Sequence, residues 1–186
     1  MKFSRTFFLV VAGVSLAMTA QALEAGAPST PVMDATKPIG MNAAATPSLS
    51  TLVDAARAAD LISTLSGPGP YTVFAPTNEA FSRLPPGTID MLMKPVNKAA
   101  LAKLMTYHVV PGTITLDDLA QRIRAGGGAT RLITVEGEPI VVTAPGGAFL
   151  LTDVNGNKSY IETPDLRQSN GIVHVVNAVL VPAKLG

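Results

Sequence analysis

Apolar residues recur at helical spacing through the first half of the chain, and gather into short β-type runs in the second half. Leu49, Leu52, Val53 and Ala56, and then Leu61, Ile62 and Leu65, recur at the spacing of a predicted helical stretch. Ser48 or Ser50 is its cap and Gly67 its stop. A Gly-Pro turn leads to a short strand over 71–75, where Thr72, Val73 and Phe74 favour extended backbone. Pro76 ends it. Thr77 then caps a helix whose Phe81 and Leu84 lie on one side, with Glu79 well placed in its first turn. Pro85-Pro86-Gly87 breaks that helix. Thr88 is predicted to cap a brief helix through Met93, and Asn97 a longer one bearing Leu101, Leu104 and Met105. Thr115, with Asp118 three residues on, has the form of a capping box for a helix through Ile123.

After Gly126-Gly127-Gly128 the pattern changes. Runs at 132–135, 140–143, 149–152, 158–163 and 172–181 are rich in β-branched and aliphatic residues. Turn signals at 136–138, 145–147, 155–156 and 170–171 separate them. Helices first and a strand meander second predict an α+β domain rather than a parallel α/β one. The last run is apolar on both faces, with Ile172, Val176 and Ala178 on one side and Val173, Val175 and Val179 on the other. It is therefore expected at the centre of the sheet, covered from both sides.

The N-terminus follows a different rule. Lys2 and Arg5 precede a charge-free apolar run from 7 to 18, and Ala20-Gln21-Ala22 supplies small residues at a cleavage point. Residues 1–22 read as a signal peptide cleaved after Ala22, with a secreted or periplasmic product. The run is shorter than the roughly 20 apolar residues a membrane span needs. Residues 23–36, rich in Ala, Pro, Ser and Thr without periodicity, read as a flexible tether. The single domain is then 37–186, and residues up to about 36 are expected not to pack against it.

Composition narrows the chemistry. Without the leader the chain has 12 basic against 13 acidic residues, a near-neutral balance with no footprint for nucleic acid. It contains no cysteine, which removes thiol catalysis, thiolate metal sites, disulfides and a lipid-modified cysteine. His108 and His174 are the only histidines. A metal site joining them to Asp153 or Asp165, or a Ser-His-Asp arrangement, would need segments far apart in sequence to converge. No ligand pair has short metal-type spacing, and no nucleophile-elbow motif is present. The alternative is that both imidazoles are buried ties between segments, since a buried ring must satisfy its nitrogens. Gly126 to Gly128 follow a helix and precede a strand, the reverse of a phosphate-cradling order, and read as a connector. Asn157-Lys158-Ser159 is formally a glycosylation sequon on a turn.

Three segments in order carry a resemblance. GPYTVFAPTNEAFSRLP at 69–85, YHVVPG at 107–112 and SNGIVHVVNAVLVP at 169–182 resemble the conserved blocks of the fasciclin domain family. The match extends over about residues 37–183. It implies a wedge of two β-sheets meeting at an angle, with helices along one side. It also implies a non-enzymatic adhesion or interaction module with no obligatory cofactor, binding extracellular or envelope protein or polysaccharide. A single small domain of this kind gains useful avidity through clustering or weak self-association.

The resemblance further implies two binding segments. One is Tyr107-His108 with its flanking Leu104, Met105, Val109 and Val110; the competing assignment of those side chains is the core, as their aliphatic flanks favour. The other is Pro164-Asp165-Leu166, although Thr163 and Arg167 depart from the acidic and apolar neighbours usual there. Structural roles fall to Thr77 as a cap, His174 within the last strand, Asn170 at its opening turn, and Asn177, which replaces an aspartate common in the closing block. A small apolar-ligand or lipid carrier, with a pocket between helices and sheets, is the alternative function.

Overall fold

The computed structural model describes residues 33–184. The predicted signal peptide, and the predicted tether up to 32, lie outside the described residues. Helices dominate the first part: α1 (Ile39–Ala44), α2 (Ser50–Ala58), α3 (Ile62–Ser66), α4 (Asn78–Ser82), α5 (Thr88–Leu92), α6 (Lys98–Tyr107) and α7 (Leu116–Ala125). Strands β1 (Tyr71–Pro76) and β2 (Val109–Pro111) are set among them. The remainder is β3 (Ala129–Ile133), β4 (Pro139–Thr143), β5 (Leu150–Thr152), β6 (Lys158–Gln168) and β7 (Gly171–Val176).

The helical apolar pattern from Leu49 to Leu65 is split rather than continuous. Asp60 adopts a left-handed conformation (φ 58°), which Asp tolerates better than most side chains, and this separates α2 from α3. Thr77 caps α4 by accepting the Ala80 N–H at 3.2 Å. Thr115 and Asp118 form the full reciprocal box at the start of α7. The other three predicted caps do not form. Leu49 holds the N-cap position of α2, so neither Ser48 nor Ser50 caps it. Gly87, at φ 80°, holds the N-cap position of α5 in place of Thr88, and the Asn97 side chain donates to the Met91 carbonyl instead of capping α6.

The seven strands hydrogen-bond in the order β2-β1-β7-β6-β5-β4-β3. The long β6 belongs to two halves, pairing with β5 through Lys158–Tyr160 and with β7 from Ile161 onward. Two bulges in β6, at 161–163 and 163–166, bend it between those pairings. The two sheets of the expected wedge are thus joined along one shared strand. At one end the edges also meet, where the Val135 N–H donates to the Val109 carbonyl at 2.7 Å.

β7 is central, as its two apolar faces predict: it runs parallel to β1 and antiparallel to β6. Val73, Ala75 and Val173 face an outer core filled by α1, α2, α4 and α6. Phe74 and Val176 face an inner core with Tyr107, Leu119, Ile140, Val142 and Leu151, beneath α7 and within the curl of the sheet. Glycines let β1 and β7 start side by side, since a Cβ at Gly171 would lie 1.9 Å from the Tyr71 carbonyl oxygen.

Boundaries differ from expectation: β3 spans Ala129–Ile133 rather than 132–135, and β6 runs on to Gln168 rather than stopping at 163. β7 ends at Val176 rather than at 181, because the next backbone donors turn to side chains. Ala178 N–H meets Ser159 Oγ, Leu180 N–H meets His108 Nε2, and Val181 N–H meets Asp153 Oδ2. The predicted tether also gives way to the domain by residue 33. Asn42, nearly fully buried on α1, grips Asp34 through both its N–H and its carbonyl, and Met33 packs on the outer core.

Candidate functional site

Tyr107, His108 and His174 fall on or around the inner core. Tyr107 ends α6 with its ring fully enclosed. Its hydroxyl donates to the Pro139 carbonyl at 3.0 Å and accepts the Val154 N–H at 3.3 Å. Burial pushes its pKa up to about 12, so the phenol stays neutral across the ordinary pH range.

His108 follows directly, 1 % exposed. Its Nδ1 lies 2.8 Å from the Leu104 carbonyl and its Nε2 accepts the Leu180 N–H at 3.0 Å. That pair of partners fixes the neutral ring with the proton on Nδ1. Burial drives its pKa down to about 4. The Tyr107 and His108 side chains are therefore core ties between α6, the strands and the closing segment. The surface-contact role implied for this pair does not fit that placement, since neither ring reaches solvent.

His174 is fixed in the opposite tautomer. Its Nε2 lies 2.8 Å from the Ile114 carbonyl, so it donates there, while Nδ1 accepts the Asp165 N–H at 3.2 Å. The ring stacks on Phe74, its registered neighbour in β1, with centroids 5.6 Å apart. Burial lowers its pKa. The two histidines hold separate backbone pairs, and the described residues contain no group of three or more His, Cys, Asp or Glu able to hold a metal. The two-histidine metal site considered from sequence does not assemble among them, because all four ring nitrogens face backbone partners.

Asp165 joins the same framework from the surface side. It sits in the β6 bulge at φ 55°, donates its N–H to His174, and accepts the Leu116 N–H at 3.0 Å through Oδ1. Leu116 opens α7, so the carboxylate lies at the positive end of that helix. Pro164, Asp165 and Leu166 are half-buried, and Glu162 and Arg167 beside them are exposed. Leu166 packs on the outer core.

The two asparagines assigned structural roles do join segments. Asn170 accepts the Ile39 N–H and donates to the carbonyls of Leu65 and Gly67, binding α1 and α3 to the β7 turn. Asn177 accepts the Tyr160 N–H at 2.9 Å, closing the gap where β6 bends. Of the sequon, Ser159 is fully buried against Ala178, while Asn157 is exposed and its amide donates to Asp153. Gly126 to Gly128 form the C-terminal stop of α7, with the Gly128 N–H returning to the Ile123 carbonyl.

Several framework roles escaped sequence reasoning, including that of Asp153, weighed there only as a metal ligand. Asp153 gathers the N–H groups of Asn155, Asn157 and Val181, together with the Asn157 amide. Thr72 bridges the Gly112 carbonyl and the Ile114 N–H. Asn42 reaches Asp34, Lys37 and Gln168. Only the Asp-x-Asn-Gly-Asn spacing from 153 to 157 carried a local turn signal; the other partners are remote in sequence.

Comparison with known proteins agrees with this architecture. Residues 47–182 match the Fasciclin domain family, and the chain belongs to that family. It is 42% identical over 140 residues to the protein sll1483 of Synechocystis sp., an alignment covering 75% of this chain and 71% of that one. It is 35% identical over 134 residues to human periostin, covering 72% of this chain but only 14% of periostin. Among solved structures, a FAS1 domain pair from the insect cell adhesion molecule Fasciclin I superposes with a TM-score of 0.71 at 18% identity. That match covers 80% of this chain, which spans 52% of the solved one. At that identity the likeness concerns the fold.

Proposed function

We propose that this is an exported, non-enzymatic interaction module that holds protein or polysaccharide partners outside the cytoplasm. One observation carries the reading: His108, His174, Tyr107 and Asp165 are all committed to backbone partners within a Fasciclin domain. Using either histidine as a base or ligand would break a tie between segments, at about 1–3 kcal/mol for each orphaned group. What the framework presents outward is the bulged strip 162–167. Asp165 sets its shape, while Glu162 and Arg167 stand in solvent. The near-neutral charge favours short-range, shape-based contact over electrostatic capture.

The experiment is retention of a native envelope or matrix extract on the immobilised chain, with wild type beside a Glu162→Ala, Arg167→Ala double variant. Selective retention by wild type, reduced in the variant with melting unchanged, is the expected result. Equal retention by both would remove the strip as the contact face, and no selective retention by wild type would remove the reading. Asp165→Ala is a poorer probe, because it also frees the Leu116 N–H at the start of α7.

A further inference from the structure

The outer core is not completely filled. Between α1, α2 and α3 on one side and β1 and β7 on the other lies a partly enclosed cavity of about 70 Å³. Its walls include Ala43, Val53, Leu65, Tyr71, Val73 and Val173. The few polar groups that line it are already engaged or lie near the rim. Thr106 Oγ donates to the Ala102 carbonyl, both His108 nitrogens have partners, and Thr64 is exposed. A polar ligand atom placed deep inside would find no partner and would be penalised for leaving water. Near the rim the half-buried Tyr71 has no hydrogen-bond partner for its hydroxyl among the described residues, which leaves a group able to meet a polar head.

Size selects further. A cavity of about 150 Å³ takes a benzene ring, and sites for larger ring compounds run to roughly 300–1,000 Å³. This one is too narrow for rings, but it can take the end of a slender chain. The wall best able to yield is α3. It contains no fully buried residue, it lies between the left-handed Asp60 and Gly67, and Asn170 holds it by hydrogen bonds to Leu65 and Gly67.

We infer that this cavity is a binding site for an unbranched hydrocarbon chain, such as the acyl tail of a fatty acid, with α3 as its adjustable wall. The site lies on the helical face of the sheet and does not depend on the adhesion reading of the β6 bulge. An apolar void carries a stability penalty that grows with its volume, and an aliphatic occupant relieves it.

The test is displacement of trans-parinarate, a linear and ring-free fluorescent fatty acid, from the full-length chain by palmitate, followed by fluorescence. Palmitate is expected to displace the probe from wild type. Two substitutions that fill the space, Ala43→Leu on α1 and Leu65→Trp on α3, are expected to weaken probe binding by roughly tenfold or more. Val96→Ser, at a site 85% exposed, is expected to leave binding unchanged. If Ala43→Leu loses its folded circular dichroism, Leu65→Trp decides, since α3 has no fully buried side chain to crowd. Failure of palmitate to displace the probe overturns the inference. So does wild-type affinity in the folded filling variants, or amide shifts on palmitate addition centred on Leu119 and Leu151 rather than on α1 to α3.

Discussion

The two faces of β7 meet two different kinds of core. The outer one, under α1 to α6, is held by apolar contact, and it keeps a cavity of about 70 Å³. The inner one, under α7 and the curled sheet, is threaded by Tyr107, His108 and His174, and each polar atom of those side chains has a partner. The contrast follows from what each must hold. Helix interiors satisfy their own backbone, so the outer core rests mainly on shape, with Asn42 and Asn170 tying the ends of α1 and α3. The inner core surrounds irregular chain at 112–115, 153–157 and 177–181, whose N–H and C=O groups have no ladder to join. Buried side chains must supply those partners. Tyr107, His108, His174 and Asp153 are therefore concentrated where the backbone is irregular, and they act there as scaffold.

The largest expected effect tests the inner core directly. His108→Ala removes a fully buried ring and orphans the Leu180 N–H, for an expected loss of about 4 kcal/mol in urea unfolding. A loss below about 1 kcal/mol would show that water or repacking replaces the tie. Next comes pH. The His108 pKa is about 4 in the folded chain against an ordinary 6.5, so the unfolded chain binds more protons between those values. Stability therefore rises with pH across that window. It is full above about 7 and falls by about 3 kcal/mol as pH drops towards 4, with His174 adding in the same direction. His108→Gln, which can donate and accept without titrating, is expected to flatten part of that slope in pH-dependent melting. An unchanged slope would assign it to His174 and the carboxylates.

A matched pair of enlargements then sets one core against the other. Val53→Ile adds a methylene at the outer cavity and is expected to stabilise by about 1 kcal/mol. Val142→Ile makes the same change in the filled inner core, where a loss of about 1–2 kcal/mol is expected. Equal effects in thermal melts would erase the distinction between the cores. The smallest effect concerns caps. Thr77→Ala removes a hydrogen-bonded cap and is expected to cost about 1 kcal/mol. Thr88→Ala, where no cap bond forms, is expected to stay within about 0.5 kcal/mol.

The caps show why some of this was legible in the sequence and some was not. Thr77 and Thr115 bond to residues three positions away, so their geometry is local and their spelling suffices. Thr88 and Asn97 have the right residue types, but Gly87 starts α5 in a left-handed conformation and Asn97 finds the Met91 carbonyl within reach. The same division applies to the proposed contact residues. Tyr107 and His108 lie in one of the three ordered blocks that marked the family, but their orientation depended on what packs around them.

Local pattern by itself determined the helix-then-strand order, the two-faced burial of β7, the paired cap and box, and the family blocks. These depend on periodicity and on hydrogen bonds between near neighbours. Tertiary structure alone decided that Asn170 would meet Ile39, that His174 would meet Ile114, that β7 would stop where side chains take over its backbone, and that the helical core would retain a cavity. Those outcomes rest on distances between segments 19 to 131 residues apart, which no spacing along the chain encodes.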